Sequence, residues 1–286
     1  MGLLTRIKTG IALTKDSIIL IRHNPKLMVF PLVGGAAGLA FLGIFLGITF
    51  GFVDIQESGS ITIYALLFVV YLGLTFISSF FAAGLVHQTR EAFAGREPSL
   101  RAGLAAAWDE KWPILAWSVI AATVGLILNS LESSDSVIAR ILGALFSVAW
   151  SVLTFFVIPV IVFERVSTVE MFKRSGQTFK QTWGETAISL IGVQLVPLII
   201  VIPAVALGAV LILSELVIAG IAVILVGILF AFLLAQTLQG VVKTALYFYA
   251  AEGTKPAEFN NVDFDKLNGE ESTRTSNRRP TRGGFQ

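Results

Sequence analysis

FFVIPVIVFERVSTVEMFKRSGQTFKQTWGE, running from Phe155 to Glu185, decides how the rest of the chain is read. Its opening part completes an apolar run that stops at the adjacent charges Glu164 and Arg165. The remainder sets Lys173, Arg174 and Lys180 among Met171, Phe172 and Phe179, and Trp183 and Gly184 precede the next apolar run. That order describes a membrane span leaving the bilayer, a basic amphipathic segment along its surface, and re-entry through an interfacial aromatic. Met171, Phe172, Ser175, Phe179 and Thr182 recur at helical spacing and define an inward stripe, with Lys173 and Lys180 on a more exposed flank.

Composition places the whole chain in the same solvent. Of 286 residues, 55% are hydrophobic and 14% are charged, against roughly 25% charged in soluble domains. Mean hydropathy is +0.80. A water-soluble fold could not bury that much apolar surface, whereas lipid solvates it directly. Cysteine is absent, which removes disulfides, thiolate nucleophiles and cysteine-ligated metals.

Six apolar runs follow one another: about 27–53, 61–85, 113–131, 137–163, 187–213 and 216–243, the last continuing helically to about Ala251. Each is long enough for the roughly 20 residues that a crossing requires. The segment before Pro25 carries Arg6, Lys8, Lys15 and Arg22 among periodic apolar residues. It reads as a retained interfacial helix rather than a cleaved signal, because the run that follows is too long. Similar basic segments precede the third and fifth spans. Setting Leu13, Leu100 and Met171 in register aligns Ile21, Trp108 and Phe179, then Pro25, Trp112 and Trp183. A threefold repeat would produce such matches, and so would chance in a composition this apolar.

The charges are sorted by side. All but one of the 21 Lys and Arg fall on the face that holds both termini, the exception being Arg140. The opposite turns hold Asp54, Glu57, Glu132, Asp135 and Glu215. The excess of cations in short loops predicts cytoplasmic termini in the plasma membrane. The expected fold is all-α: a polytopic bundle of six transmembrane helices in three hairpins with cytoplasmic interfacial helices. It is expected to occupy residues 1–252, followed by a disordered cytoplasmic tail over 253–286, where apolar residues are few.

Three constellations stand out. Gly35, Gly43, Gly47 and Gly51 share one helical stripe of the first span, and Gly34 with Gly38 forms a second small pair. Small residues let another backbone approach closely, so the stripe is expected to pack against a neighbouring helix. Pro159, Pro197 and Pro203 interrupt the fourth and fifth spans. These breaks could free backbone carbonyls, with Gln194 one turn before Pro197, for an uncharged polar pathway around Pro159, Gln194 and Pro197. Finally, the predicted midplanes hold no ionisable residue, which disfavours proton-coupled transport. Glu164 could pair with Arg165 or Lys173, and His87 beside Gln88 and Arg90 reads as an interfacial histidine. No nucleophile–base pair, metal cluster or phosphate loop is recognisable.

The runs FFAAGLVHQTREAFAGREPSLRAGLAAAWDEKWPILAWSVIAATVGLIL, WSVLTFFVIPVIVFE and MFKRSGQTFKQTWGE resemble a family of prokaryotic six-span membrane proteins known only as a domain of unknown function. Its most specific parts are PSLRAGL with the following tryptophan, FFVIPVIVFE, and KRS with TWGE. The resemblance implies the same fold with cytoplasmic termini, and brings no activity, substrate or catalytic residue. A looser likeness in layout to the membrane part of some glycerophosphodiester phosphodiesterases carries no enzymatic inference, since their catalytic domain is separate.

The expectation is therefore a non-enzymatic membrane protein without cofactor, metal or nucleic-acid partner. It would organise lipid, anionic lipid included, or an unidentified protein partner through Lys173, Arg174, Lys180 and Trp183. The alternative is a transporter or permease component using the polar pathway named above.

Overall fold

The computed structural model describes residues 3–53, 59–183, 191–252 and 259, with side chains left undescribed at 3–11, 181–183, 191–195 and 252. Among the described residues all regular structure is helical. In chain order the helices are α1 (Leu3–His23), α2 (Val29–Phe52, entered through a single 3-10 turn at Pro25–Met28), α3 (Ser60–Phe93), α4 (Leu100–Asp109), α5 (Lys111–Glu132), α6 (Val137–Thr154), α7 (Val157–Glu164), α8 (Thr168–Trp183), α9 (Ile191–Leu213) and α10 (Val217–Glu252). Six segments are long and apolar enough to cross a membrane: 25–52, 60–93, 111–132, 137–164, 196–213 and 217–251. The three remaining helices, α1, α4 and α8, each precede a spanning one.

Two spanning helices exceed what a bilayer requires. The 34 residues of α3 extend about 51 Å and the 36 of α10 about 54 Å, against a hydrocarbon core of about 30 Å. The second span thus continues as helix past its expected end near Leu85. The extra turns are held by packing: Gln88, Thr89 and Ala92 are buried there, with α4 against α3.

The buried apolar side chains gather at that same end. Leu13, Leu27, Phe30, Ile114, Phe156, Met171, Leu246 and Phe259 belong to one continuous core with the last turns of α3 and α10. At the opposite end Phe52, Ile61, Leu213 and Ile218 are each about nine-tenths exposed, as suits side chains solvated by lipid rather than by one another. Phe259, beyond the expected boundary at residue 253, is buried in this core with its ring edge-on to Phe93 at 5.7 Å.

The glycine stripe of α2 faces open space within the chain. A Cβ added to Gly35, Gly43, Gly47 or Gly51 would meet nothing within 4 Å, whereas one on Gly34 would touch Phe81 and one on Gly38 Leu74. One residue turns a helix by about 100°, so the face that α2 presents to α3 is the neighbouring one. Close helix approach through small residues occurs instead between α9 and α10, where Gly220 faces the Gly208 carbonyl and Gly227 faces Ala204.

Candidate functional site

The fourth span is two helices, and Pro159 explains where it breaks. Its ring clashes with the carbonyl four residues back and it has no N–H to donate. The interruption falls at Phe155 and Phe156, between α6 and α7. The break also leaves a backbone donor outside the helix ladder, and its partner is the chain itself. The Phe156 N–H donates to Ser175 Oγ of α8 at 3.0 Å, and both residues are fully buried. Phe179 packs against Phe155 and Phe156 at 5.5 and 6.5 Å. The inward stripe on α8 is therefore seated on the bundle, with Met171, Ser175 and Phe179 buried and Phe172 against Trp117 and Trp150.

The residues of the expected pathway lie on two helices, α7 and α9. Pro159 is buried in α7, which packs on α3, α5, α8 and α10. Pro197 and Pro203 lie inside the single helix α9, which packs chiefly on α10 and α1. The side chains of Gln194, Thr182 and Trp183 lie outside the described ones.

On the outer flank of α8, Lys173, Arg174 and Lys180 are exposed as expected. Two of them are engaged by carboxylates. Arg174 Nε lies 3.3 Å from Glu164 and 3.7 Å from Glu170, and Lys173 Nζ lies 3.7 Å from Glu170. Glu164 also accepts from the Tyr247 hydroxyl at 2.8 Å. The expected partners of Glu164, Arg165 and Lys173, are thus replaced by Arg174 and Tyr247, which ties α7 to α8 and α10. Lys180 forms no ion pair among the described residues.

The PSLRAGL segment builds the adjacent corner. Ser99 caps α4 by accepting from the Ala102 N–H, and its own N–H donates to Gln88 Oε1 at 2.7 Å. Phe30 is fully buried between Gly84 and Gly103. A Cβ on Gly103 would lie 2.6 Å from Phe30 Cε1 and 2.9 Å from Gln88 Cγ, so only glycine admits the ring. Lys26 Nζ reaches Glu97 at 2.5 Å, and that hydrogen bond holds the Glu97 carboxyl below its ordinary range.

Between α3, the end of α4 and α7 lies a cavity of about 280 Å³ lined by His87, Arg90, Ala106, Asp109, Glu110, Val162, Phe163 and Arg165. Arg165 ends α7 in the left-handed region at φ 50°. Its Nε pairs with Glu110 Oε1 at 2.9 Å, and Glu110 is nearly buried. The Arg90 guanidinium lies 5.4 Å from the Phe163 ring centre and 5.7 Å from that of Phe248. Beside the cavity Trp108 and Trp112 point outward, 59% and 68% exposed, with Lys111 Nζ 5.0 Å from the Trp108 ring centre. An exposed tryptophan pair with a lysine suits the headgroup level of a bilayer.

Among the described residues no group of three or more His, Asp or Glu could hold a metal. Sequence reasoning placed His87 and Arg90 at a span boundary but missed their association with Asp109, Glu110 and Arg165. Those residues are separated by whole helices, so periodicity could not join them. The only available signal was the clustering of ionisable residues just beyond two apolar runs.

The profile of a family described as Family of unknown function (DUF6159) matches residues 61–257, and the chain belongs to that family. No curated protein and no solved structure matches the chain.

Proposed function

We propose that this member of a family without an assigned activity is a non-catalytic plasma-membrane protein with both termini in the cytoplasm. Its helical cap organises anionic lipid, and through it a protein partner, at the inner leaflet. The observation that carries this reading is the separation of the molecule into two ends. One is a packed cap that presents Lys173, Lys180, Arg101 and the exposed Trp108 and Trp112; the other carries exposed apolar side chains, as lipid contact would require. Cations near an anionic leaflet each contribute about 1 kcal/mol, and the tryptophans hold the cap at the right depth.

The test is lipid retention by the purified full chain after extraction from vesicles containing phosphatidylglycerol and phosphatidylcholine at low salt, where screening is least. The parent should retain phosphatidylglycerol above its bulk fraction, and Lys173→Gln with Lys180→Gln and Arg101→Gln should lower that enrichment. Equal retention by parent and variant would overturn the reading.

A further inference from the structure

We infer that the cavity beneath Arg165 is a site for a single zwitterionic phosphoethanolamine group, presented by a phospholipid at the inner face of the bundle. The cavity is bounded by two cations and two carboxylates besides His87. One pair is satisfied internally, because Arg165 closes on Glu110 at 2.9 Å. The remaining two, Arg90 and Asp109, carry opposite charges, are exposed, and form no ion pair among the described residues. Arg90 has the neighbouring Glu91, but that carboxylate is taken by Arg96.

A lone anion would answer Arg90 and leave Asp109 facing a like charge; a lone cation would do the reverse. A ligand carrying a phosphate and an ammonium a few bonds apart answers both. The Arg90 guanidinium carbon lies over the Phe163 and Phe248 rings at 5.4 and 5.7 Å, and its N–H groups can donate to phosphate oxygens. Asp109 accepts from a primary ammonium. A quaternary ammonium has no N–H for it and would require an aromatic cage, and here the rings are covered by Arg90. The volume of about 280 Å³ lies just under the roughly 300 Å³ at which clefts for whole small molecules begin, so it suits a headgroup. Val162 and Phe163 form the apolar wall, and Trp108 stands next to the lining residue Asp109. The site therefore sits where headgroups lie, one turn past the apolar part of α3.

This inference is separate from the anionic-surface reading: it uses Arg90 and Asp109, not the α8 cations, and selects by the amine rather than by net charge. The full chain, delipidated in detergent, is titrated by native mass spectrometry with phosphatidylethanolamine, phosphatidylcholine, phosphatidylglycerol and free phosphoethanolamine. The expected result is one phosphatidylethanolamine bound more tightly than phosphatidylcholine or phosphatidylglycerol. Arg90→Gln and Asp109→Asn should each weaken it about tenfold, the worth of one charge-assisted hydrogen bond. Ala106→Leu, which fills the cavity with every charge retained, should weaken it as well, and Arg140→Gln at the opposite end should not. Free phosphoethanolamine binding as tightly as the lipid would assign the site to a soluble headgroup; weaker binding would assign it to the membrane. Equal affinity for the three lipids, or unchanged phosphatidylethanolamine binding in Arg90→Gln, Asp109→Asn and Ala106→Leu, would overturn the inference.

Discussion

The Phe156 N–H donates to the Ser175 hydroxyl at 3.0 Å, across the break that Pro159 imposes on the fourth span. A defect in one helix is thereby converted into the docking point of another, since a buried N–H without a partner costs more than the bond contributes. Removing the hydroxyl should expose that cost. Ser175→Ala is expected to destabilise the protein by about 1–3 kcal/mol, read as a lower melting temperature in detergent. An unchanged melting temperature would show that the break is satisfied in some other way.

Phe30 and the glycines around it make a second prediction. Gly103→Ala places a methyl group against a fully buried ring and should cost about 1–3 kcal/mol through overpacking. Gly47→Leu, on a face where nothing lies within 4 Å, should stay within about 0.5 kcal/mol of the parent. Thermal denaturation of both variants in one detergent compares them directly. A large loss at Gly47 would mean that this face is covered by something beyond the chain.

Arg165 combines a left-handed backbone with a buried partner, and two substitutions separate these contributions. Arg165→Ala and Arg165→Gly both strand Glu110, but only glycine relieves the strain of φ 50°. The glycine variant should therefore be the more stable of the two by about 1–2 kcal/mol. Equal stabilities would argue that the left-handed geometry relaxes once the pair with Glu110 is lost.

Phe259 adds a buried ring to the core from beyond α10. Truncation after Glu252 removes a fully buried ring and should cost about 3–5 kcal/mol, the range for deleting a core phenylalanine. Truncation after Val262 keeps the ring and should melt with the parent. If both truncations behave alike, Phe259 does not hold the cap.

Orientation has its own test. Single cysteines at Ser58 and Ser133 should react with an impermeant thiol reagent added to intact cells, and one at Ser272 should not. Labelling at Ser272 from outside would reverse the proposed topology.

The sequence by itself determined the helical class, six segments long and apolar enough to cross a membrane, and the burial of Met171, Ser175 and Phe179 on α8. Each of these depends on hydropathy or periodicity along one segment, which a linear string records. Pro159 also announced a break, because its clash is local to one turn. Only the tertiary structure decided what receives the freed N–H, since Ser175 is 19 residues from Phe156 and many hydroxyls were equally eligible. It also decided which α2 glycines meet α3: Gly34 and Gly35 are equivalent as small residues and differ only by the rotation of the helix. The charged cavity was the least legible feature. Arg90, Asp109 and Arg165 come from three elements, and their association depends on how α3, α4 and α7 pack rather than on any spacing within one of them.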